Sequence, residues 1–526
     1  MKTEKKPVRS GMQKLTKNIQ ITLDEDMNVP DTCPDVEKIV ESRGDLHIDE
    51  IEGLNDRVRV KGTLLVEILY ISMGKKQGIA AMEHEFAVEE YINAEGAGPE
   101  DTVKITADIE DITVSIINSR KCGIRSVLFF HVQISEMKLI DWTTGIDSED
   151  DVECLYEDLP VTEIAMNKKD IQRIRAEVSL PAGKPNIREI LWNSMRLNDV
   201  DVRMLEGKLS IRGELFLFIL YESEDTQDPV QYYDWEIPFD NVLECTDSHE
   251  DLIGSIAVAL GSRQSLIKPD SDGELRSIEV DAVMELDLKA CREFKLPVLK
   301  DLYANNRRLT LERKPVTYEN LVFQNNARTK VTHRIPSSGE KGQLMQILNV
   351  EGAIRIEDSV MTKKGIRTEG LVFARVLYIA GDDGTPVQSR ETVIPFEYLV
   401  ECPDSCGNIQ DVRCDIRGVL EQINAYVVDG DALEIRAVAG IYVAGYEVKK
   451  QEMIENVTES PYDEAELAKI PSITAYIVKK EDSLWMIART FGTTIEKIRQ
   501  YNDNVTEPLE AGQKLILLKE MENLIG

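Results

Sequence analysis

The side chains of this 526-residue sequence that could carry chemistry are five histidines, eight cysteines and a large surplus of carboxylates. Zinc sites set cysteine and histidine a few residues apart so that four ligands converge. Cys33, Cys122, Cys154, Cys245, Cys291, Cys402, Cys406 and Cys414 include no CxxC pair. Cys402, Cys406 and Cys414 come closest to a cluster, yet the nearest histidines in sequence, His249 and His333, lie far upstream. Structural thiols are expected, and neither a metal nor a cofactor is. A nucleophilic thiol needs a base or a positive neighbour to hold its thiolate. The pairs Glu244-Cys245 and Glu401-Cys402 recur, but nothing basic stands beside either in sequence. His47, His84, His131, His249 and His333 fall at unrelated places. Catalysis requires an acid, base or nucleophile in a converging set. The sequence reads as that of a binding protein and not an enzyme.

The elements behind these residues repeat. Val58–Tyr70, Leu209–Tyr221 and Ile366–Tyr378 are three versions of one segment, with Gly62, Gly213 and Gly370 each followed eight residues later by tyrosine. Apolar residues alternate along each, which predicts a long strand with one face on a core. The glycine has no side chain to pack, so it marks a bulge or bend. Counting 28 residues back reaches Pro34, Pro185 and Gly342, each opening a short apolar segment. Downstream come Phe86–Tyr91, Pro238–Cys245 and Pro395–Cys402, then strand-like Thr102–Ile109, Asp251–Val258 and Asp411–Gly418. Closing strands follow at Ser126–Ile134, Ser277–Leu286 and Ala432–Ala439, the last after a turn at Asp429–Asp431. Self-similarity at this level means tandem domains.

The expected division is a tail at 1–17, repeats at 18–140, 176–292 and 332–448, and connectors at 141–175 and 293–331. The connectors are too apolar for free linkers and are expected to pack on neighbouring domains. Residues 449–473, rich in glutamate, read as a solvated acidic tether. The fold class is mainly β: three tandem antiparallel β-sandwich-like repeats, then a small βααβ module at 474–519.

The formal net charge is −33. Such a surface repels nucleic acid and anionic lipid, which excludes both as partners. Residues 474–519 differ, with seven Lys/Arg against six Asp/Glu. The longest apolar run, near Leu215–Tyr221, is far short of a membrane span. No apolar h-region follows Met1, so no secretory signal is expected.

In the last segment Ala475–Val478 reads as a strand. Leu484, Ile487, Ala488 and Phe491 then fall at helical spacing, with a capping residue before and Gly492 after. Thr493 to Glu496 reads as a capping box opening a second helix through Tyr501, and Gly512–Leu517 returns as a strand. Trp485, Ile487, Ile498, Leu515 and Leu517 are expected to share its core.

This module resembles a LysM domain, on Tyr476, Val478, Asp482, Ser483, Leu484, Trp485, Ile487, Ala488, Phe491, Gly492, Asn502 and Ala511–Leu515. The resemblance implies a shallow groove for N-acetylglucosamine glycans between two loops. By position these supply Glu481, Asp482, Ser483 and Leu484, and Glu507, Pro508, Leu509, Glu510 and Gly512. Glu481 stands where the family usually has glycine, and Asn502-Asp503-Asn504 replaces its common Asn-Pro. With Glu510 the rim becomes acidic, which gives weight to a protein partner in the same groove.

Three such repeats before a C-terminal LysM module look like the SipL-type spore-coat morphogenetic proteins of clostridia, whose repeats are called SPOCS domains. That resemblance implies coat assembly in the mother-cell cytoplasm at the forespore surface, with a SpoIVA-like coat protein bound through the LysM module. A peptidoglycan-binding protein of cortex or cell wall is the alternative.

Overall fold

The computed structural model describes residues 1–74, 78–147, 152–225, 229–336, 344–381, 387–402, 412–428, 432–461 and 471–519. Gly342, Cys406 and the turn at 429–431 lie outside them.

Each repeat is two facing three-stranded antiparallel sheets. In the first, β1 (Lys2–Asn28), β6 (Lys121–Asp147) and β5 (Thr102–Asn118) pair in the order β1-β6-β5. Opposite lie β2 (Val36–Leu54), β3 (Arg57–Ser72) and β4 (Ile79–Asn93), in the order β2-β3-β4. The second repeat reuses the plan with β7 (Val152–Ser179), β8 (Ile187–Leu205), β9 (Lys208–Ser223), β10 (Val230–Glu244), β11 (Ile253–Pro269) and β12 (Leu275–Ala304). The third does so with β13 (Arg307–Ile335), β14 (Leu344–Thr362), β15 (Gly365–Ala380), β16 (Val387–Glu401), β17 (Val412–Val428) and β18 (Ala432–Pro461). The alternation fixes this arrangement: Val60, Leu64, Val66 and Ile68 of β3 bury against Ile124, Leu128 and Phe130 of β6.

The recurring tyrosines end inside these cores. Tyr70 donates to the Pro34 carbonyl (2.9 Å) and Tyr221 to the Pro185 carbonyl (3.1 Å), which joins two of the sequence landmarks. Tyr378 donates to Gln388 instead (3.2 Å). The preceding residues, Leu69, Leu220 and Leu377, point the opposite way. With Leu191, Trp192, Phe218, Leu348 and Val387 they form one cluster to which all three repeats contribute. Equivalent residues meeting at one place put the repeats around an approximate three-fold axis.

The recurring glycines sit where the strand before each carries extra residues, with register shifts between Ile48 and Glu50, Asn198 and Asp201, and Ile356 and Asp358. A Cβ on Gly62 would lie 2.4 Å from the His47 carbonyl oxygen. On Gly370 it would lie 2.7 Å from the Arg355 carbonyl and 2.6 Å from the Phe396 ring.

The segments expected as tail and connectors, and the start of the expected tether at 449–461, are strand where described, and the connectors pack on neighbouring repeats as expected. β5 accompanies β6 only as far as Ser135, whereas β1 and β6 stay paired to Lys2↔Asp147. The result is a two-stranded arm, and β7 with β12 and β13 with β18 build two more. The three arms form a stalk with its own core, in which Val8, Trp142, Leu159, Leu296, Tyr318 and Met453 are buried. Trp142 meets Tyr318 edge-to-face at 5.0 Å, and Thr143 donates to the Ile454 carbonyl at 2.6 Å. Thus 449–461 is no tether: Met453, Ile454 and Val457 are buried while Glu452, Glu455 and Glu459 face solvent. Composition concealed a strand whose apolar face has a partner. Trp142→Ala is expected to cost about 3–5 kcal/mol in chemical denaturation. Unchanged stability would show that the stalk core contributes nothing.

The last module comprises β19 (Ile473–Ile477), α1 (Leu484–Phe491), α2 (Ile495–Tyr501) and β20 (Lys514–Leu518), with β19 antiparallel to β20. This is the expected βααβ order. None of the described helices is long and apolar enough to cross a membrane.

Candidate functional site

Local rules set the module's frame. Ser483 caps α1, its hydroxyl accepting the Met486 amide, and Gly492 closes the helix in the left-handed conformation at φ 60°. Thr494, one residue later than expected, caps α2 and accepts the Lys497 amide. Thr493 is displaced from that role because its own amide completes the first helix, donating to the Ala488 carbonyl (3.1 Å). Val478, Leu484, Trp485, Ile487, Ala488, Ile498, Val505, Leu515 and Leu517 form the core.

Two loops carry the residues expected to form the groove. In the first, the Asp482 carboxylate accepts the Lys479 amide and the Tyr476 hydroxyl, both at 2.7 Å. These two bonds hold Asp482 below the usual carboxylate range, and the same contact raises the Tyr476 phenol. In the second, Gly512 takes φ 92° and donates to the Val478 carbonyl at 2.8 Å. The loops are bridged, since Glu507 Oε1 accepts the Leu484 amide at 2.6 Å.

The structure sorts the expected groove residues. Glu481, Glu507, Pro508, Glu510 and Gly512 are exposed, and Asp482, Ser483 and Leu509 are half-buried. Leu484 is fully buried, so its side chain serves the core. The side chains of Asp482 and Ser483 are likewise engaged within the module. The Leu484 backbone amide is taken by the Glu507 carboxylate.

Sequence reasoning missed the other side of the module. The Trp485 indole N–H donates to Asp301 Oδ2 at 2.9 Å, and Arg489 donates to the same oxygen at 2.6 Å. Tyr303 stacks edge-to-face on Trp485 at 4.9 Å and its hydroxyl donates to the Thr493 carbonyl at 2.8 Å. Asp301 and Tyr303 belong to β12, so the module is seated on the tip of the stalk. The one available signal was Trp485 itself, whose ring and N–H both need partners when buried.

The remaining reactive side chains are placed structurally. Burial pushes the thiols of Cys122, Cys154 and Cys291 up, away from thiolate. Cys245 donates to Met166 Sδ at 3.3 Å in a core. His131 bonds Asn18 and His249 bonds Glu206. Among the described residues no three of His, Cys, Asp and Glu gather as a metal site would require. One cleft of about 190 Å³ lies where the repeats meet, lined by Arg43, Arg196, Arg263 and Glu351 among others. A shallower opening of about 550 Å³, between the second and third repeats, is lined by Phe323, Gln324, Asn325 and Asn326.

A three-lobed β body carrying a small grooved module is the architecture of a tandem binding protein. The description "SipL, SPOCS domain" matches residues 35–117, 186–260 and 343–428, and "LysM domain" matches 476–517. The chain belongs to the SipL-type proteins, with three SPOCS domains and a C-terminal LysM domain. Both are binding domains, one associated with sporulation and the other with peptidoglycan. The matched SPOCS segments cover β2–β5, β8–β10 with the first part of β11, and β14–β17, and leave out β1, β6, β7, β12, β13 and β18, whose ends form the stalk. No solved structure matches the chain.

Proposed function

We propose that this protein is a non-catalytic adaptor of the spore coat, acting at the forespore surface in the mother-cell cytoplasm, whose LysM groove binds a SpoIVA-like coat morphogenetic protein. The observation that carries this reading is the Glu507 carboxylate on the Leu484 amide. It fills the groove's backbone donor and, with exposed Glu481 and Glu510, surrounds the groove with negative charge. Neutral acetamides gain little from such a rim, whereas a basic protein segment gains charge-assisted hydrogen bonds. The domain order supports the setting, and seating on the stalk gives the groove a fixed direction.

The LysM match favours a second reading, peptidoglycan binding through N-acetylglucosamine. The two separate with the full chain on purified peptidoglycan and on a purified SpoIVA-like protein. Glu507→Ala is expected to weaken coat-protein binding about tenfold, equivalent to ~1.4 kcal/mol, and to raise retention on peptidoglycan. Strong retention of the wild type on peptidoglycan, with coat-protein binding indifferent to Glu507, would replace the first reading by the second.

A further inference from the structure

The axis where the three repeats meet is apolar at one level and ionic at the next. Glu41 of the first repeat occupies the position held by Trp192 in the second and Asn349 in the third, each 21 residues before the recurring glycine. Arg43, Ser194 and Glu351 are likewise equivalent, each 19 residues before it. The first copy therefore sets a carboxylate and a guanidinium where the other copies carry different side chains.

The charges there do not balance. Arg43, 8% exposed, pairs with Glu67 on β3 (2.6 Å) and with Glu351 on β14 (3.0 Å). Arg375 on β15 pairs with Glu41 (2.9 Å) and with Glu391 on β16 (2.5 Å). Four carboxylates thus share two guanidiniums. Two further guanidiniums favour charge on Glu351 and not on Glu41: Arg263 on β11, also engaged by Asp45 (2.6 Å), and Arg196 on β8, which donates to the Val350 carbonyl and stacks on Phe216. Glu41 is the most deeply buried of the four, 5% exposed, and its Oε2 lacks a hydrogen-bond partner. Its Oε1 takes both Arg375 and the Ser42 amide. Burial outweighs the Arg375, Ser42 and Ser389 contacts that favour its charge, so this carboxylate holds a proton more readily than it holds charge.

We propose that the joint between the first and third repeats is a proton-operated latch: protonated Glu41 lets β2 seat against β15 and β16, and its ionisation as pH rises loosens that contact. Burial pushes the Glu41 carboxyl up to about 7, with Glu351 and Glu391 adding to the rise and Arg375 and Ser389 opposing it. Glu351 goes the other way, held low despite burial because Arg43 lies against it. The folded value of Glu41 lies above the ordinary one, so its stabilising effect is complete below pH 4.5 and is lost as pH rises through about 7. The repeats are joined by strong apolar contacts elsewhere, so the response is local opening and not dissociation.

Hydrogen–deuterium exchange of the full chain tests this, comparing peptides from β2 and β15 at pH 5 and pH 8 after correction for intrinsic rates. Wild-type protection is expected to fall on the order of tenfold or more relative to Glu41→Gln, whose amide stays neutral throughout. Parallel profiles in the two proteins overturn the proposal. Should Glu41→Gln fold poorly, Glu391→Gln, an exposed position, is the second probe. It removes a charge that raises Glu41 and frees Arg375 for it, and is expected to shrink the loss of protection between pH 5 and pH 8. An unmoved profile overturns the latch equally.

Discussion

Gly62→Val is expected to destabilise the first repeat by about 3 kcal/mol or more. The new Cβ would lie 2.4 Å from the His47 carbonyl oxygen and 3.3 Å from Ile48. The first of these atoms is backbone and cannot swing aside. Because β3 is the central strand of its sheet, a shift to relieve the clash propagates into β2 and β4 together. The same strand feeds the sandwich core through Leu64, Val66 and Tyr70 and the axis through Leu69. Gly78→Ala is the control, since a Cβ there meets nothing closer than the Ser72 hydroxyl at 3.6 Å. It is expected to stay within about 0.5 kcal/mol of wild type. Urea titrations of both proteins check the contrast, and a Gly62→Val protein as stable as Gly78→Ala would refute the packing argument.

Undocking of the LysM module is the second large effect. Tyr303→Ala removes an aromatic contact and the hydrogen bond to the Thr493 carbonyl, and is expected to cost the module about 2–4 kcal/mol of local protection. Asp301→Ala strands the Trp485 N–H in a buried place, and the expected loss is about 1–3 kcal/mol. The Asp301–Arg489 pair adds little beyond that, since Arg489 is half exposed. The residues touch the same ring, so the double variant is expected to lose less than the sum. Exchange protection of α1 peptides measures each loss, while the sandwich peptides keep theirs. If α1 protection is unchanged in the double variant, the module does not depend on its seat. Coat-protein binding by the undocked variants then tells whether the fixed direction of the groove matters or only its chemistry.

The two experiments probe features of different legibility. Gly62 was visible in the sequence because its neighbours alternate for a dozen residues and because the pattern occurs three times. Period-two alternation records burial of one strand face, and that face packs within its own repeat. Pro34 and Tyr70 were visible as landmarks, though their hydrogen bond was not. The LysM module was legible for the same local reasons: Ser483, Gly492 and the spacing from Leu484 to Phe491 are rules of helix ends and faces. At Leu484 the sequence could not tell a side chain that serves the core from a backbone amide that meets Glu507.

What the sequence determined alone was therefore the content of each unit: three copies of one sandwich plan, a βααβ module, and a strongly acidic composition. Only the tertiary structure decided how the units are joined. Met453, Ile454 and Val457 find their partners in other arms far away along the chain, and between them glutamates give the segment the composition of a tether. Asp301 and Trp485 are separated by 184 residues, and Glu41 meets Arg375 across an axis that exists only once the repeats assemble. Local periodicity encodes what a segment does with its own neighbours, whereas burial between distant segments depends on which surfaces the finished units bring together.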